Sequence, residues 1–355
     1  MKGRIILIED EYRKYNKKLK YKIAIIMLVT LFIALFCLVF GTDLEFLSAI
    51  EAIGRYVVAN EFTGDNIAAE KVIVLLRLPR ICLAILSGMG LAIAGLMMQA
   101  VTRNFLVSPF TLGVSSAAAF GASLCIVFGS STIFFDDIFI IGSAFISAML
   151  SMVVVFCVAK RVGITANSVI LIGIALNYFF AALTASLQFF AQENKLAAVV
   201  QWTFGTFNRA NWEAVGIIGI VLLICCLFSI RLLLKWNVMA SGDDELVKSL
   251  GINPENLRGI TMFVVVLITA TIISFTGVIG FVGLIAPHMA RFIVGDNYKF
   301  LFLMTAAVGA CLLLLSDTFG KFILYPVNVP VGIVVSFIGV PIFIHLILSS
   351  KKGQL

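Results

Sequence analysis

Ten stretches of mostly apolar residues, most of them near 20 long, run through this chain with few charges inside them. A helix needs about 20 apolar residues to cross a bilayer, and a barrel strand only about 10. Backbone groups in hydrocarbon must find partners within their own segment or around a closed barrel, so runs of this length call for helices. The expected spans are 23–41, 81–101, 111–130, 137–159, 168–190, 213–234, 259–277, 278–294, 301–319 and 330–349. The seventh and eighth form one apolar stretch, broken by Gly277, Gly280 and Gly283. Only 13% of the residues are charged, roughly half the share in soluble domains. The sequence therefore predicts an all-α polytopic membrane protein of about ten transmembrane helices.

Charge placement gives these spans a direction. An even number of crossings puts both termini on one side. With the termini inside, 19 of the 26 Lys and Arg face the cytoplasm, eight of them before residue 23. The outer seven are Arg55, Lys71, Arg77, Arg80, Lys195, Arg209 and Lys321. That imbalance follows the positive-inside rule. The net charge of +7 then reports topology, and nucleic acid is not an expected partner. Residues 1–22 read as a polar cytoplasmic lead, 23–350 as the membrane domain with one sizeable polar inner loop at 235–258, and 351–355 as a cytoplasmic tail. The lead lacks the short apolar core and the small-residue cleavage site of a signal peptide, so 23–41 is expected to be a retained first span.

Enzyme chemistry finds little footing here. All seven cysteines fall in expected spans, and none has C-x-x-C spacing. No group of His, Cys, Asp or Glu has metal-site spacing. No phosphate-binding G-x-x-x-x-G-K-[ST] occurs. Asp317 and His345 are the candidates for an intramembrane ionic group, each near a span end and forming no evident relay, and His288 near the inner end of the eighth span reads as structural. An ion-coupled carrier would need such groups near mid-membrane.

Two polar stretches stand out. Arg77-Leu-Pro-Arg80 precedes a helix in which Ala84, Gly88 and Ala92, and also Gly90 and Ala94, lie four apart. Small residues at that spacing let helices pack closely in lipid. Pro79 suits a helix's first turn, which would set both arginines against the helix dipole. In the inner loop, Gly242-Asp243-Asp244-Glu245 reads as a helix start. Leu246, Val247 and Leu250 make one apolar face, and Gly251 closes the helix. An acidic, amphipathic inner helix points to a protein partner.

Taken in order, several segments resemble the FecCD family, the permeases of type II ABC importers for iron–siderophores, haem and vitamin B12. They are Arg77-Leu-Pro-Arg80, Gly90 to Gly95 with Gln99, Arg103-Asn104, Pro109 to Ser116, Trp202 with Gly205, Ser249-Leu-Gly251, Gly280 to Arg291, Asp317-Thr318, and Pro330-Val-Gly332 with Gly339 and Pro341. The resemblance covers roughly residues 70–350. It implies the type II importer permease fold and a dimer with a second permease subunit, identical or not. It also implies two separate ATPase subunits that carry ATP, an extracytoplasmic binding protein that delivers substrate, and a prokaryotic cell membrane as the location. On this resemblance Arg77, Arg80 and, after the Asp-Thr pair, Lys321 would dock the binding protein. Asn104 and Leu106, with Ala166 and Asn167, would form the cytoplasmic gate. The loop 241–256, through Asp243, Asp244, Leu246, Ser249, Leu250 and Gly251, would couple to the ATPase. Family members usually have proline after the gate asparagine, and this chain has Phe105. The expected cargo is a ferric siderophore, with haem or cobalamin as alternatives. No cofactor, metal site or catalytic residue is expected in this chain.

Overall fold

The structure, a computed structural model, describes residues 2–39, 46–59, 62, 67–129, 136–324 and 327–350. All regular structure among these residues is helical. Helix α1 spans Lys2–Val39, α2 Phe46–Ala59 and α3 Ile67–Lys71. A π-helical turn at Val72–Arg77 joins α3 to α4, Leu78–Thr102. A 3-10 turn at Pro109–Leu112 leads into α5, Val114–Phe128, followed by α6, Asp136–Val162, and α7, Ala166–Phe190. Then come α8, Glu193–Thr203; α9, Trp212–Ile230; α10, Leu233–Ser241; and α11, Asp244–Ser249. Helices α12, Pro254–Thr276; α13, Val282–Val294; α14, Tyr298–Phe322; and α15, Val331–Ser350 complete the chain.

Seven helical segments are long and apolar enough to cross a bilayer, and α5, α13 and part of α15 are shorter apolar helices. Together they occupy the ten expected places. Most of the apolar windows in α4, α12 and α14 are buried (78%, 72% and 83%), against 22–28% in α1, α6, α7 and α9. The first three are therefore the core of the bundle, and the other four leave most of those windows exposed on the outside of this chain.

Helix α4 is the hub, and its glycines decide how near its neighbours come. A Cβ on Gly88 would run into the Gly309 carbonyl of α14, and one on Gly95 into the Gly283 carbonyl of α13. Gly90 meets Ile268 and Ile272 of α12. Gly88 and Gly90, within the small-residue spacing read from sequence, thus serve the seams with α14 and α12, and Gly95 outside it serves the seam with α13.

The structure corrects the reading of Pro79. Residues 67–102 form one helical run, so Arg77 and Arg80 lie within a helix, not at its first turn. Proline has no N–H to give to the preceding turn. The wider turn just before it absorbs the change, with Leu78 N–H bonding back to Ile73 O. The dipole penalty expected for the two arginines does not arise. Helix α1 runs without a break from Lys2 in the polar lead to Val39 in the first expected span. Lys22 in mid-helix bonds the Ile293 carbonyl at the end of α13 through Nζ, at 2.8 Å.

The glycine-rich break between the seventh and eighth spans is real and falls at residues 277–281. Gly277 and the non-glycine Phe281 both take positive φ, 74° and 65°. Thr206 N–H bonds Thr276 O across this break at 2.7 Å. Helix α13 then begins midway along the α4 wall, where Gly283 packs on Leu91 and Gly95. Residues 130–135, between the third and fourth expected spans, and the tail 351–355 lie outside the described residues.

Candidate functional site

The functional candidates gather at the two ends of α4. At its first end, Asp317 of α14 is buried, 1% exposed, and holds two cations. Arg80 reaches it through Nε, at 3.1 and 3.0 Å to the two carboxylate oxygens, and through Nη2 at 2.7 Å. Lys321, one turn on from Asp317, places Nζ 2.8 Å from Oδ2. Arg80 Nη1 also donates to Asn208 Oδ1 at 2.7 Å. Arg77 Nη1 donates to the Leu38 carbonyl at the end of α1, 3.2 Å away. One carboxylate against two cations leaves the cluster positive, and both cations keep some exposure, 15% for Arg80 and 30% for Lys321. The sequence placed the three basic residues on one rim, and the structure brings Arg80 and Lys321 together. It adds Asp317 and Asn208 as the groups that fix them. The available signal was an acid inside an apolar run, which needs a partner in hydrocarbon.

At the other end, α4 closes on Arg103 in the left-handed conformation, φ 51°. The corner that follows is held locally. Asn104 Oδ1 accepts from Leu106 N–H at 2.9 Å, a side-chain mimic of a turn. Leu106 is more than half exposed. Phe105 takes a course no local signal indicates. Its carbonyl accepts from Gln99 Nε2 at 3.0 Å, and the Arg291 guanidinium lies 4.2 Å over its ring. Arg291 in turn donates to Gln99 Oε1 at 2.7 Å. His288 of α13 meets the Phe105 ring edge-on at 5.9 Å. Where the family's proline would fix φ, this chain ties the corner to α13 through an aromatic–cation contact. Ala166 and Asn167 open α7 behind a reciprocal Thr165–Ser168 capping box. Among the described residues no hydrogen bond joins them to Asn104 or Leu106.

The inner loop folds as the sequence indicates. Asp243 caps α11 by accepting from Leu246 N–H at 2.8 Å. Gly251, φ 78°, ends it, with Gly251 N–H on Lys248 O and Ile252 N–H on Val247 O. Ser249 Oγ bonds back to the Leu246 carbonyl at 2.8 Å. The expected apolar face divides in two. Val247 is fully buried, whereas Leu246 and Leu250 are about half exposed. The acids also divide: Asp243 is spent on the cap, and Asp244 turns inward to Arg258 and Arg103. The Arg258 hydrogen bonds and positive charge, with those of Arg103 behind them, hold the Asp244 carboxyl below the usual carboxylate range.

Between these ends a cavity of about 630 Å³ opens against the 277–281 break. Phe110, Phe204, Phe281, Phe337 and Val340 line it, with Thr203 and Ser336 among the few polar groups. No group of three or more metal-ligating side chains forms among the described residues.

Ten apolar helical segments among the described residues, arranged around α4, with charged clusters at its two ends, make this a multi-pass membrane protein. The chain belongs to the FecCD transport family, whose model matches residues 26–349. It is 40% identical to an ABC transporter permease protein of Methanocaldococcus jannaschii, over 97% of this chain and 99% of that one. It is 34% identical to the Fe(3+)-citrate import system permease protein YfmE of Bacillus subtilis, over 96% and 98%. It is also 36% identical to the molybdate import system permease protein MolB of Haemophilus influenzae, over 80% and 83%, and 30% identical to the hemin transport system permease protein HmuU of Yersinia pestis, over 82% and 87%. Among solved structures, a metal-chelate type ABC transporter in an inward-facing conformation aligns with a TM-score of 0.80 and 30% identity, covering 94% of this chain and 99% of that chain. The protein is thus a multi-pass permease of the ABC importer class.

Proposed function

We propose that this chain carries a ferric chelate, a siderophore complex or a smaller iron chelate, from an extracytoplasmic binding protein into a prokaryotic cell, with both termini cytoplasmic. The observation that carries the reading is the pairing of opposite ends on one helix hub. Arg77, Arg80 and Lys321 offer an outward positive rim to acidic residues of a binding protein. Leu246 and Leu250, beside the capped start of α11, offer an inward apolar surface to an ATPase. Two such chains, or this one and a second permease, enclose the path, and two ATPase subunits supply the ATP cycle. The lining of the cavity beside the 277–281 break is mostly apolar, which suits cargo that arrives already chelated. Asn104 and Leu106, with Ala166 and Asn167, close the inner side. The iron-citrate relative supports iron, and the haemin relative keeps haem as the second reading.

The test is reconstitution in proteoliposomes with the cognate ATPase and binding protein, offering radiolabelled ferric chelates, haemin, cobalamin and molybdate in parallel. ATP-dependent accumulation of a ferric chelate is expected. Accumulation of haemin or molybdate instead would replace the cargo, and uptake by the chain alone on an ion gradient would replace the class.

A further inference from the structure

One carboxylate joins the segments at the inner end. Arg258, 3% exposed, forks onto Asp244, with Nη1 to Oδ2 and Nη2 to Oδ1 both at 2.8 Å. The same guanidinium donates through Nε to the Val101 carbonyl at 3.1 Å and through Nη1 to the Ile164 carbonyl at 3.2 Å. Val101 lies in the last turn of α4, where carbonyls lack helical partners. Ile164 lies in the turn from α6 to α7, two residues before Ala166. Arg103 places Nη1 2.8 Å from Asp244 Oδ1 and donates through Nε to the Met239 carbonyl in α10 at 2.6 Å. Five segments therefore converge on Asp244 through two arginines: α4, the α6–α7 turn, α10, α11 and α12. Leu246 in α11 and Leu250 just after it are about half exposed.

We propose that Asp244, Arg258 and Arg103 form the linkage that carries displacement of α11 to the inner ends of α4 and the α6–α7 turn, with Arg258 as its central positioning residue. The proposal rests on α11 being the surface the ATPase grips. A planar guanidinium can hold two carbonyls and a carboxylate at once, in fixed directions, whereas an ammonium acts as a single point charge. Charge-assisted, bidentate pairs are also the stronger and more directional kind. Because the arginine bridges α11 and two other segments, α11 cannot shift without moving them or breaking the pair.

The experiment uses the assembled permease–ATPase complex in proteoliposomes and measures cargo transported per ATP hydrolysed. Asp244→Asn and Arg258→Lys are expected to assemble and hydrolyse ATP while that ratio falls by about tenfold, the order of a coupling free energy between two sites. Asp244→Glu, which keeps a carboxylate, should recover most of it. Arg103→Gln leaves the buried fork intact and should lower the ratio less. If the variants lose transport and hydrolysis in parallel, or keep the native ratio, the linkage is wrong. If even Arg103→Gln fails to assemble, the cluster serves folding, and the linkage is again wrong. Leu246→Asp separates the two readings. If it assembles with the ATPase normally, the coupling surface itself is misplaced. If it fails to assemble while Asp244→Asn keeps the native ratio, only the linkage falls.

Discussion

Single side chains at the ends of α4 carry charge that the apolar surroundings would otherwise exclude. Asp317→Asn should leave Arg80 and Lys321 without their shared counter-charge, at a cost of about 3–5 kcal/mol. Thermal unfolding in detergent would show the loss, and binding-protein affinity should fall with it. At the other end, Phe105→Ala removes the ring that Arg291 covers, a contact worth about 0.5–2 kcal/mol. The expected result is faster ATP-independent leak of cargo from loaded vesicles. Asp244 sets a pH expectation. Its folded carboxyl titrates below the ordinary carboxylate range, so its contribution is complete above that range and is lost only as pH falls through the depressed value. Transport per ATP should therefore be flat between about pH 5 and 8 as far as Asp244 is concerned, and a step within that window would contradict the pairing. The sequence made the basic residues visible, because arginine in an apolar chain is conspicuous. It hid their partners. Arg80 and Asp317 are far apart in the chain, and no local pattern states the register between α4 and α14. The same holds for Arg258, which sequence reading counted only towards charge bias.

Among the elements, those with a periodic or capped signature were legible and those that depend on a break were less so. Helix α11 was readable from Gly242 to Gly251, because its cap and its closing glycine are chemical statements made locally. The split of its apolar face was not, since Val247 is buried by segments distant in sequence. Pro79 misled for a related reason. Proline at a first turn and proline after a π-helical turn look alike in sequence, and only the backbone of Val72–Arg77 separates them. The glycines on α4 give a direct check of packing. Gly95→Ala should force α4 from α13, because the added Cβ meets the Gly283 carbonyl. Destabilisation of about 1–3 kcal/mol is expected, seen as a lower unfolding temperature. Gly142→Ala, where an added Cβ meets nothing, should not lower that temperature, since alanine in a helix interior is favoured over glycine by about 0.5–1 kcal/mol.

For the whole molecule, hydropathy and charge bias were enough to propose ten crossings, because lipid imposes length and sign on each span. The proposed orientation places α11 in the cytoplasm. In a background lacking the seven native cysteines, Lys248→Cys should react with an impermeant thiol reagent only from the cytoplasmic side, and labelling from outside would invert the topology. What hydropathy could not convey is depth. Helix α13 counts as a crossing by composition, yet it begins midway along the α4 wall, so the chain reverses within the bundle at residues 277–281.

That interior reversal separates two kinds of evolutionary constraint. The seams that hold the bundle are made by Gly88, Gly90 and Gly95 against backbone and core side chains, and they tolerate almost no change. Phe204, Phe337 and Val340 along the cavity are substantially exposed, so exchanging them removes little buried contact. A substitution along the cavity wall should therefore disturb the bundle less than one at the glycine seams, which separates the surface that meets the interior space from the contacts that hold the helices together.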